Sequence, residues 1–302
     1  MAVAAGVGPP RRVPSAGVVL AAREHSPWAP GRESLVLVHG YPDQQDVWLP
    51  VVEALASEQL QIITYDVRGA GASDAPTQTA GYRTELLVED LVSVVEAMVP
   101  AGRPVHLVGH DWGSVQLWDA VVAEPTDPRL QDRIASFTSI SGPSLDQAAW
   151  LTRHPAGRER RLLRQMAHSW YIGLFQVPVL PEQLWRLARG PVAREMERRQ
   201  GLPRGHWGRD LTRNAVNGLN LYRANVLGGA RRTARAHVDI PVLVVHPTRD
   251  PFITEVMLDG LGDVCSDLRI ERIDAGHWVI VTHAEEFAEL LEDHVRSAAV
   301  RR

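Results

Sequence analysis

Residues Val105 to Gly113 read VHLVGHDWG, and this stretch decides the fold. VHLV has the apolar composition of a buried strand, and the segment from Trp112, WGSVQLWDAVVAE, has the apolar spacing of a helix. Asp111 therefore lies in a sharp turn between a strand and a helix. Gly109 and Gly113 flank it, because larger side chains at either end of so tight a turn would clash. The turn would present Asp111 at the carboxyl end of the strand, where α/β sheets place ligands. By itself, Asp111 could equally be the N-cap of the helix.

The same alternation of strands and helices recurs on both sides of this turn. Further β-branched runs are LVLVHG from Leu35, QIITYDVRG from Gln61, RIASFTSISG from Arg133, PVLVVHP from Pro241 and LRIERID from Leu268. Helical periods separate several of them, as in Glu85 to Val99. Continuous apolar strands that alternate with helices predict an α/β protein with a mostly parallel sheet covered on both faces. Val13 to Glu24 fits an antiparallel hairpin at the sheet edge.

Between Ser144 and about Arg235 the strand pattern stops, and the sequence predicts helices only. We interpret residues 144–235 as a helical cap inserted into a core formed by residues 1–143 and 236–302. The inserted stretch has 17 arginines and 6 acidic residues, although the whole chain has a net charge of -4. This basic surplus is either a solvated outer face or a preference for acidic ligands, and the sequence leaves both open.

Composition excludes several classes of protein. The 302 residues are 45% hydrophobic and 23% charged, as in ordinary globular domains. With 32 basic and 36 acidic residues, the chain lacks the charge footprint of a nucleic-acid-binding protein. All basic residues are arginines, which excludes lysine Schiff-base and P-loop chemistry. The single cysteine, Cys265, excludes an intramolecular disulfide and a cysteine-rich metal site. The glycine-rich loop Gly69 to Ser73 lacks the remainder of a dinucleotide fingerprint.

Two further candidates for chemistry follow predicted strands. Asp250 occurs in VLVVHPTRDPF, and His277 occurs in IDAGHWVIV. A nucleophile at Asp111, then an acid, then a histidine is the chain order of a catalytic triad on this kind of scaffold. The second carboxylate would fix the tautomer of the imidazole and stabilise its protonated form. Each residue alone has a structural explanation, but three separate loops would then have to coincide. His39 and His110 are alternative bases, although each is tied to a turn.

His39-Gly40-Tyr41-Pro42 follows the run LVLV at the position from which such scaffolds supply one oxyanion-hole donor. We assign the donors to the backbone N–H groups of Tyr41 and Trp112. Pro42 is expected to be cis, in keeping with a tight turn.

These motifs resemble the α/β-hydrolase-fold epoxide hydrolases of the Asp-nucleophile, actinobacterial type. HGYP, GHDWG, the late Asp250 and GHW carry the resemblance, which spans nearly the whole chain. SWYIGLFQVPVLPE and LNLYRANV are similar to the two cap motifs of that family, which places the family's tyrosines at Tyr171 and Tyr222. Some members of the subgroup are fused to a short-chain dehydrogenase. This sequence ends at Arg302, and we expect no second catalytic domain.

The resemblance implies an epoxide hydrolase that works without a cofactor or a metal. Asp111 would attack an epoxide carbon while Tyr171 and Tyr222 hydrogen-bond the departing oxygen. His277 would then activate water to hydrolyse the resulting ester, releasing a vicinal diol. We also expect substrate contacts from three aromatic residues, Trp170, Phe175 and Trp278.

Two rival functions remain at this point. Haloalkane dehalogenases share the aspartate nucleophile, but they usually have asparagine where this chain has Tyr41; Trp170 could imitate their halide-binding tryptophan. Fluoroacetate-type dehalogenases usually have arginine at the position of Trp112. A non-catalytic ligand-binding protein on the same scaffold is the other rival.

The expected partners are an apolar epoxide and water, and we expect no binding to nucleic acid or membrane. Whether the protein forms a homodimer is left open. The start of the chain lacks the pattern of a secretory signal, and the longest apolar runs fall short of a membrane span, so we expect a cytoplasmic protein.

Overall fold

An eight-stranded sheet forms the centre of the computed structural model. Its strands in chain order are β1 (Arg11–Ser15), β2 (Val18–Ser26), β3 (Glu33–Val38), β4 (Leu60–Asp66), β5 (Val105–His110), β6 (Ile134–Ile140), β7 (Val242–Pro247) and β8 (Leu268–Ile273). Their spatial order is β1-β2-β4-β3-β5-β6-β7-β8. β2 pairs antiparallel with both β1 and β4, and every pairing from β4 to β8 is parallel. The mostly parallel sheet and its edge hairpin, both expected from the sequence, are confirmed.

The structure describes residues 9–55, 59–226 and 235–301. The first eight residues, on which the expectation about a secretory signal depends in part, lie outside the described residues. So does the stretch 227–234, which belongs to the predicted cap.

The helices that flank the sheet follow the apolar periods of the sequence. They are α1 (Leu49–Ala54), α2 (Thr84–Met98), α3 (Trp112–Ala123), α9 (Val279–Thr282) and α10 (Ala284–Val300). In α10, the buried residues Phe287, Leu291 and Val295 repeat every four positions and form one apolar stripe. All residues of β4, β5, β6 and β7 are buried, so helices cover both faces of the central sheet.

Among the described residues between β6 and β7, in the stretch interpreted as a cap, there are five helices. They are α4 (Leu145–Arg153), α5 (Glu159–His168), α6 (Trp170–Gln176), α7 (Leu180–Gln200) and α8 (Leu211–Asn225). α8 is joined to the core at its end, where Asn225 accepts a 3.0 Å hydrogen bond from the backbone N–H of Thr84 and donates a 2.9 Å bond to the carbonyl of Tyr82. The division into core and cap remains a prediction.

Within the three described ranges, every helix is too short or too polar to span a bilayer.

Candidate active site

Asp111 occupies a strained turn between β5 and α3. Its backbone has φ 52° and ψ -122°, a conformation that a residue with a side chain rarely adopts. The turn depends on its flanking glycines, since a Cβ at Gly109 would lie 2.5 Å from the backbone nitrogen of Ser114 and one at Gly113 would lie 2.0 Å from the carbonyl oxygen of Val38. The Asp111 side chain makes no capping hydrogen bond with α3. Asp111 thus stands at the N-cap position of α3 without serving as a side-chain cap.

The carboxylate of Asp111 is held by the loop that follows β3. The backbone N–H of Tyr41 donates a 2.7 Å hydrogen bond to Oδ1 of Asp111, and the Tyr41–Pro42 peptide bond is cis. Burial raises the pKa of the Asp111 carboxyl to about 6, while the charge of His277 and the backbone N–H groups of Tyr41 and Trp112 oppose that rise. The structure thus brings the two expected oxyanion-hole donors to the nucleophile candidate.

His277 lies between two carboxylates. Its Nδ1 is 2.9 Å from Oδ2 of Asp250, which follows β7, and its Nε2 is 3.6 Å from Oδ2 of Asp111. Burial by itself lowers the pKa of His277, but the nearby carboxylates, chiefly that of Asp250, outweigh burial and raise the pKa. Asp250 also accepts backbone N–H bonds from Phe252 and Ile253 at 2.8 and 3.2 Å. Although burial raises the pKa of Asp250, the charge and the hydrogen bond of His277, together with the N–H of Phe252, hold that pKa below the usual value. The acid is therefore an ionised orienting group.

The two tyrosines expected to hold the epoxide oxygen come from different helices of the predicted cap and line the same cavity as Asp111. Tyr171 lies in α6 and Tyr222 in α8, with ring centroids 6.0 Å apart and ring planes at 82°. Burial raises the pKa of both phenols far above the usual value, and the negative charge of Asp111 adds to the rise in each. Both phenols therefore keep their protons at neutral pH and are available as hydrogen-bond donors in the cavity that they share with Asp111.

A cavity of about 700 Å³ connects these groups. Asp111, His277, Tyr171 and Tyr222 all line it. Among its other lining residues are the three aromatic residues expected to contact substrate, Trp170, Phe175 and Trp278. Phe175 and Trp278 are buried, whereas Trp170 is 68% exposed and lies at the outer end of the wall. An apolar cavity with a few convergent polar groups is the usual form of a small-molecule site.

The histidines considered as alternative bases have other partners. Nε2 of His39 accepts the backbone N–H of Val67 at 2.9 Å. Nε2 of His110 is 3.0 Å from the carbonyl oxygen of His277, and burial lowers the pKa of His110 to about 3. His110 is therefore a neutral support for the loop of His277. Burial raises the pKa of Cys265 to about 11, so this thiol is unreactive.

Two residues that the sequence analysis did not single out contact this site. Oε1 of Gln200, the last residue of α7, accepts the backbone N–H of His277 at 3.0 Å. Asp43 accepts a 2.8 Å hydrogen bond from Nε1 of Trp278. Asp43 could have been found, because it directly follows HGYP, whereas Gln200 has no local sequence signal. Within the described ranges, His, Cys, Asp and Glu side chains form no group of three that could hold a metal ion.

Comparison with known proteins agrees with this architecture. A family model described as alpha/beta hydrolase fold matches residues 33–171. A crystal structure of an epoxide hydrolase from Bacillus megaterium superimposes with a TM-score of 0.77 over 95% of this chain and 100% of that one, at 19% identity. The chain has the α/β-hydrolase fold. Epoxide hydrolase A from Mycobacterium thermoresistibile has the same fold, with a TM-score of 0.71, 24% identity and coverage of 96% and 98% of the two chains.

Two mycobacterial relatives of this chain differ in name and in length. The Mycobacterium tuberculosis protein named "Probable oxidoreductase EphD" is 33% identical over 279 residues, which is 87% of this chain but 46% of that protein. "Epoxide hydrolase A" of the same organism is 29% identical over 291 residues, covering 83% of this chain and 86% of that protein. The chain thus spans about half the length of EphD and most of the length of epoxide hydrolase A.

Proposed function

We propose that this α/β-hydrolase converts an apolar epoxide into a vicinal diol through an ester of Asp111. The observation that carries the proposal is the placement of a carboxylate nucleophile and two protonated phenols, those of Tyr171 and Tyr222, around one cavity. An epoxide needs both at once, because the attacking group must bond to carbon while the departing oxygen gains negative charge. The name of epoxide hydrolase A, a relative matched over most of its length, supports the same activity.

In the first step, Asp111 attacks one carbon of the epoxide. Oδ1 is held by the N–H of Tyr41, so Oδ2, which lies toward His277, is the oxygen free to form the new bond. The C–O bond of the epoxide breaks as the ester bond forms, and the oxygen released at the neighbouring carbon takes a proton from a phenol. The products of this step are an alkyl ester of Asp111 and a hydroxyl group on the substrate.

In the second step, His277 removes a proton from a water molecule that attacks Cγ of the Asp111 ester. The charge that develops on Oδ1 is stabilised by the N–H groups of Tyr41 and Trp112, and the loss of one such donor commonly costs about 3 kcal/mol. Ester formation also removes the charge of Asp111, which is one of the charges that raise the pKa of His277. The imidazole therefore becomes easier to deprotonate at the stage when a neutral base is needed. Collapse of the intermediate expels the diol oxygen, which takes the proton held by His277. The proton left on the Asp111 carboxyl passes to the phenolate, so that the carboxylate, the imidazole and the phenol are all restored.

Isotope labelling under single-turnover conditions tests this two-step route. With excess enzyme in water enriched in oxygen-18, one oxygen of the label should enter the Asp111 carboxylate, since water attacks Cγ of the ester. The peptide that contains Asp111 is then analysed by mass spectrometry. Label that appears only in the diol would show direct attack of water on the epoxide and overturn the proposal.

Substrate panels separate the rival activities. Aryl, terpenoid and long-chain epoxides are assayed for diol formation, and matched haloalkanes are assayed for halide release. The proposed function requires diol formation that the Asp111→Ala variant lacks while it remains folded. Halide release without diol formation would assign the site to dehalogenation, and binding without either product would make the protein a ligand-binding relative.

A further inference from the structure

The buried carboxylate of Asp43 links two parts of the chain that lie far apart in sequence. Asp43 is 2% exposed. Its Oδ1 accepts a 2.6 Å hydrogen bond from Nε1 of Trp207, and its Oδ2 accepts a 2.8 Å bond from Nε1 of Trp278. Nε2 of His206 lies 3.4 Å from Oδ1 as well. Each carboxylate oxygen therefore serves a different segment.

These two segments carry the two halves of the candidate site. Trp207 and His206 lie in the cap, in the loop between α7 and α8, and α8 bears Tyr222. Trp278 directly follows His277 in the loop after β8. The two indoles also pack against each other, with ring centroids 5.5 Å apart and planes at 76°. Asp43 itself is only two residues beyond Tyr41, whose N–H holds Asp111.

We propose that Asp43 is a positioning residue that clamps the cap to the catalytic histidine loop, one carboxylate oxygen on each. The proposal rests on the proposed function for its kinetic consequences. A buried carboxylate bound mainly by neutral indoles costs stability compared with a well-packed apolar side chain. The function of the clamp would be to fix the phenol of Tyr222 at a defined position relative to the imidazole of His277.

The negative charge of Asp43 also raises the pKa of His277. His277 is surrounded by the carboxylates of Asp250, Asp111 and Asp43, which all raise its pKa, and by the neutral imidazole of His110. Asp43 in turn faces His206 and His110 in addition to the two indoles, and its own pKa lies below the usual value because His206 and Trp278 outweigh burial. Removal of the Asp43 charge should therefore shift the pH profile of ester hydrolysis to lower pH. A purely space-filling residue would leave that profile in place.

A double-mutant cycle between Asp43 and Trp207 tests the clamp. Trp207→Phe removes the cap-side hydrogen bond and should slow ester formation about tenfold, the range for a lost bond to a charged group. Asp43→Leu removes both acceptors at similar size and should slow ester formation and hydrolysis. In the Asp43→Leu background, Trp207→Phe should cause no further slowing, because both substitutions break the same bond. Trp48→Phe is the matched control. Trp48 is fully buried and packs on Phe287. The factor by which Trp48→Phe slows ester formation should therefore be the same in the parent and in the Asp43→Leu background.

A readout that needs no activity keeps the clamp separate from the proposed function. In ¹H–¹⁵N spectra, Trp207→Phe and Trp278→Phe identify the two indole N–H signals, and Asp43→Leu should move both. Asp43→Asn serves if the leucine variant does not fold, since the two indoles bond to different oxygens and the amide replaces one of these acceptors by a donor. Indole signals that stay in place, or slowing by Trp207→Phe that multiplies fully with that of Asp43→Leu, would overturn the clamp. If the indole signals move but no ester forms in the parent, the clamp stands and the proposed function fails.

Discussion

Nε2 of His277 lies 3.6 Å from Oδ2 of Asp111, on the opposite side of the imidazole from its 2.9 Å contact with Asp250. The separation from Asp111 is longer than a hydrogen bond, but the charge of that carboxylate still raises the pKa of His277. The histidine thus has one permanent carboxylate partner and one that esterification would neutralise. This asymmetry suits a base that is needed only after the ester has formed.

The first prediction concerns the pH dependence of ester formation. Burial raises the pKa of Asp111 to about 6, and only the ionised carboxylate can attack carbon. The rate constant for ester formation should therefore rise with pH through about 6 and level off above it. Rapid-quench single turnovers between about pH 5 and about pH 8 measure that rate. A rate that does not change below pH 6 would show that the ionisation of Asp111 does not control this step.

Loss of the base should trap the ester. His277→Gln leaves Asp111, Tyr171 and Tyr222 in place, so the epoxide should still open, but water would lack the group that activates it. Intact-protein mass spectrometry should show an added mass equal to that of the substrate. His237→Gln, at a histidine whose side chain is 57% exposed, is the control and should turn over without accumulating an adduct. The two-step route loses its support if His277→Gln is inactive and also free of adduct.

The two phenols should act on ring opening alone. Tyr171→Phe or Tyr222→Phe leaves one donor for the departing oxygen, and each should slow ester formation about tenfold or more. The double variant should be slower than either single variant by a much larger factor. Hydrolysis of an ester already formed should change little, because the phenols face the departing oxygen and not Cγ. Tyr65→Phe is the control, since Tyr65 is buried in β4 and does not line the cavity. Unchanged ring opening in the double variant would remove both phenols from the mechanism.

The sequence was sufficient to predict those features of the fold and the site that short sequence patterns determine. Strand periodicity followed by GHDWG placed Asp111 in its turn, and the chain order of Asp250 and His277 brought two more loops to the same edge of the sheet. The contacts of Asp43 and Gln200 depend on how the cap packs onto the core, and no short-range pattern encodes that packing. The same holds for the exposure of Trp170, which was expected among the substrate contacts and lies at the outer wall of the cavity.

Gly218 in α8 should prove intolerant of a side chain. A Cβ at this position would lie 2.6 Å from Cδ2 of Tyr41, so Gly218→Ala must displace either the Tyr41 ring or the helix that bears Tyr222. Alanine in a helix normally gains about 1 kcal/mol over glycine, and the clash should reverse that sign. We expect a lower melting temperature and slower ester formation. Gly173→Ala in α6, an exposed position at which a Cβ would meet no atom within 4 Å, is the control and should be neutral or stabilising. Equal behaviour of the two variants would show that the cap does not need this close approach.

The raised pKa of Asp111 also predicts a thermal signature. Its pKa is about 6 in the folded protein against 3.8 for an unperturbed aspartate, so folding favours the protonated form. Ionisation of Asp111 therefore costs stability, on the order of 2 to 3 kcal/mol. The cost is fully present above pH 6 and is lost as pH falls below 3.8.

Asp111→Asn, which keeps an acceptor for the N–H of Tyr41, should raise the melting temperature by several degrees at pH 8, and the gain should shrink steadily toward about pH 4. Differential scanning calorimetry of the two proteins across that range measures the gain. A constant difference at all pH values would mean that the substitution acts through packing, and a lower melting temperature at pH 8 would contradict the inferred cost of the charge.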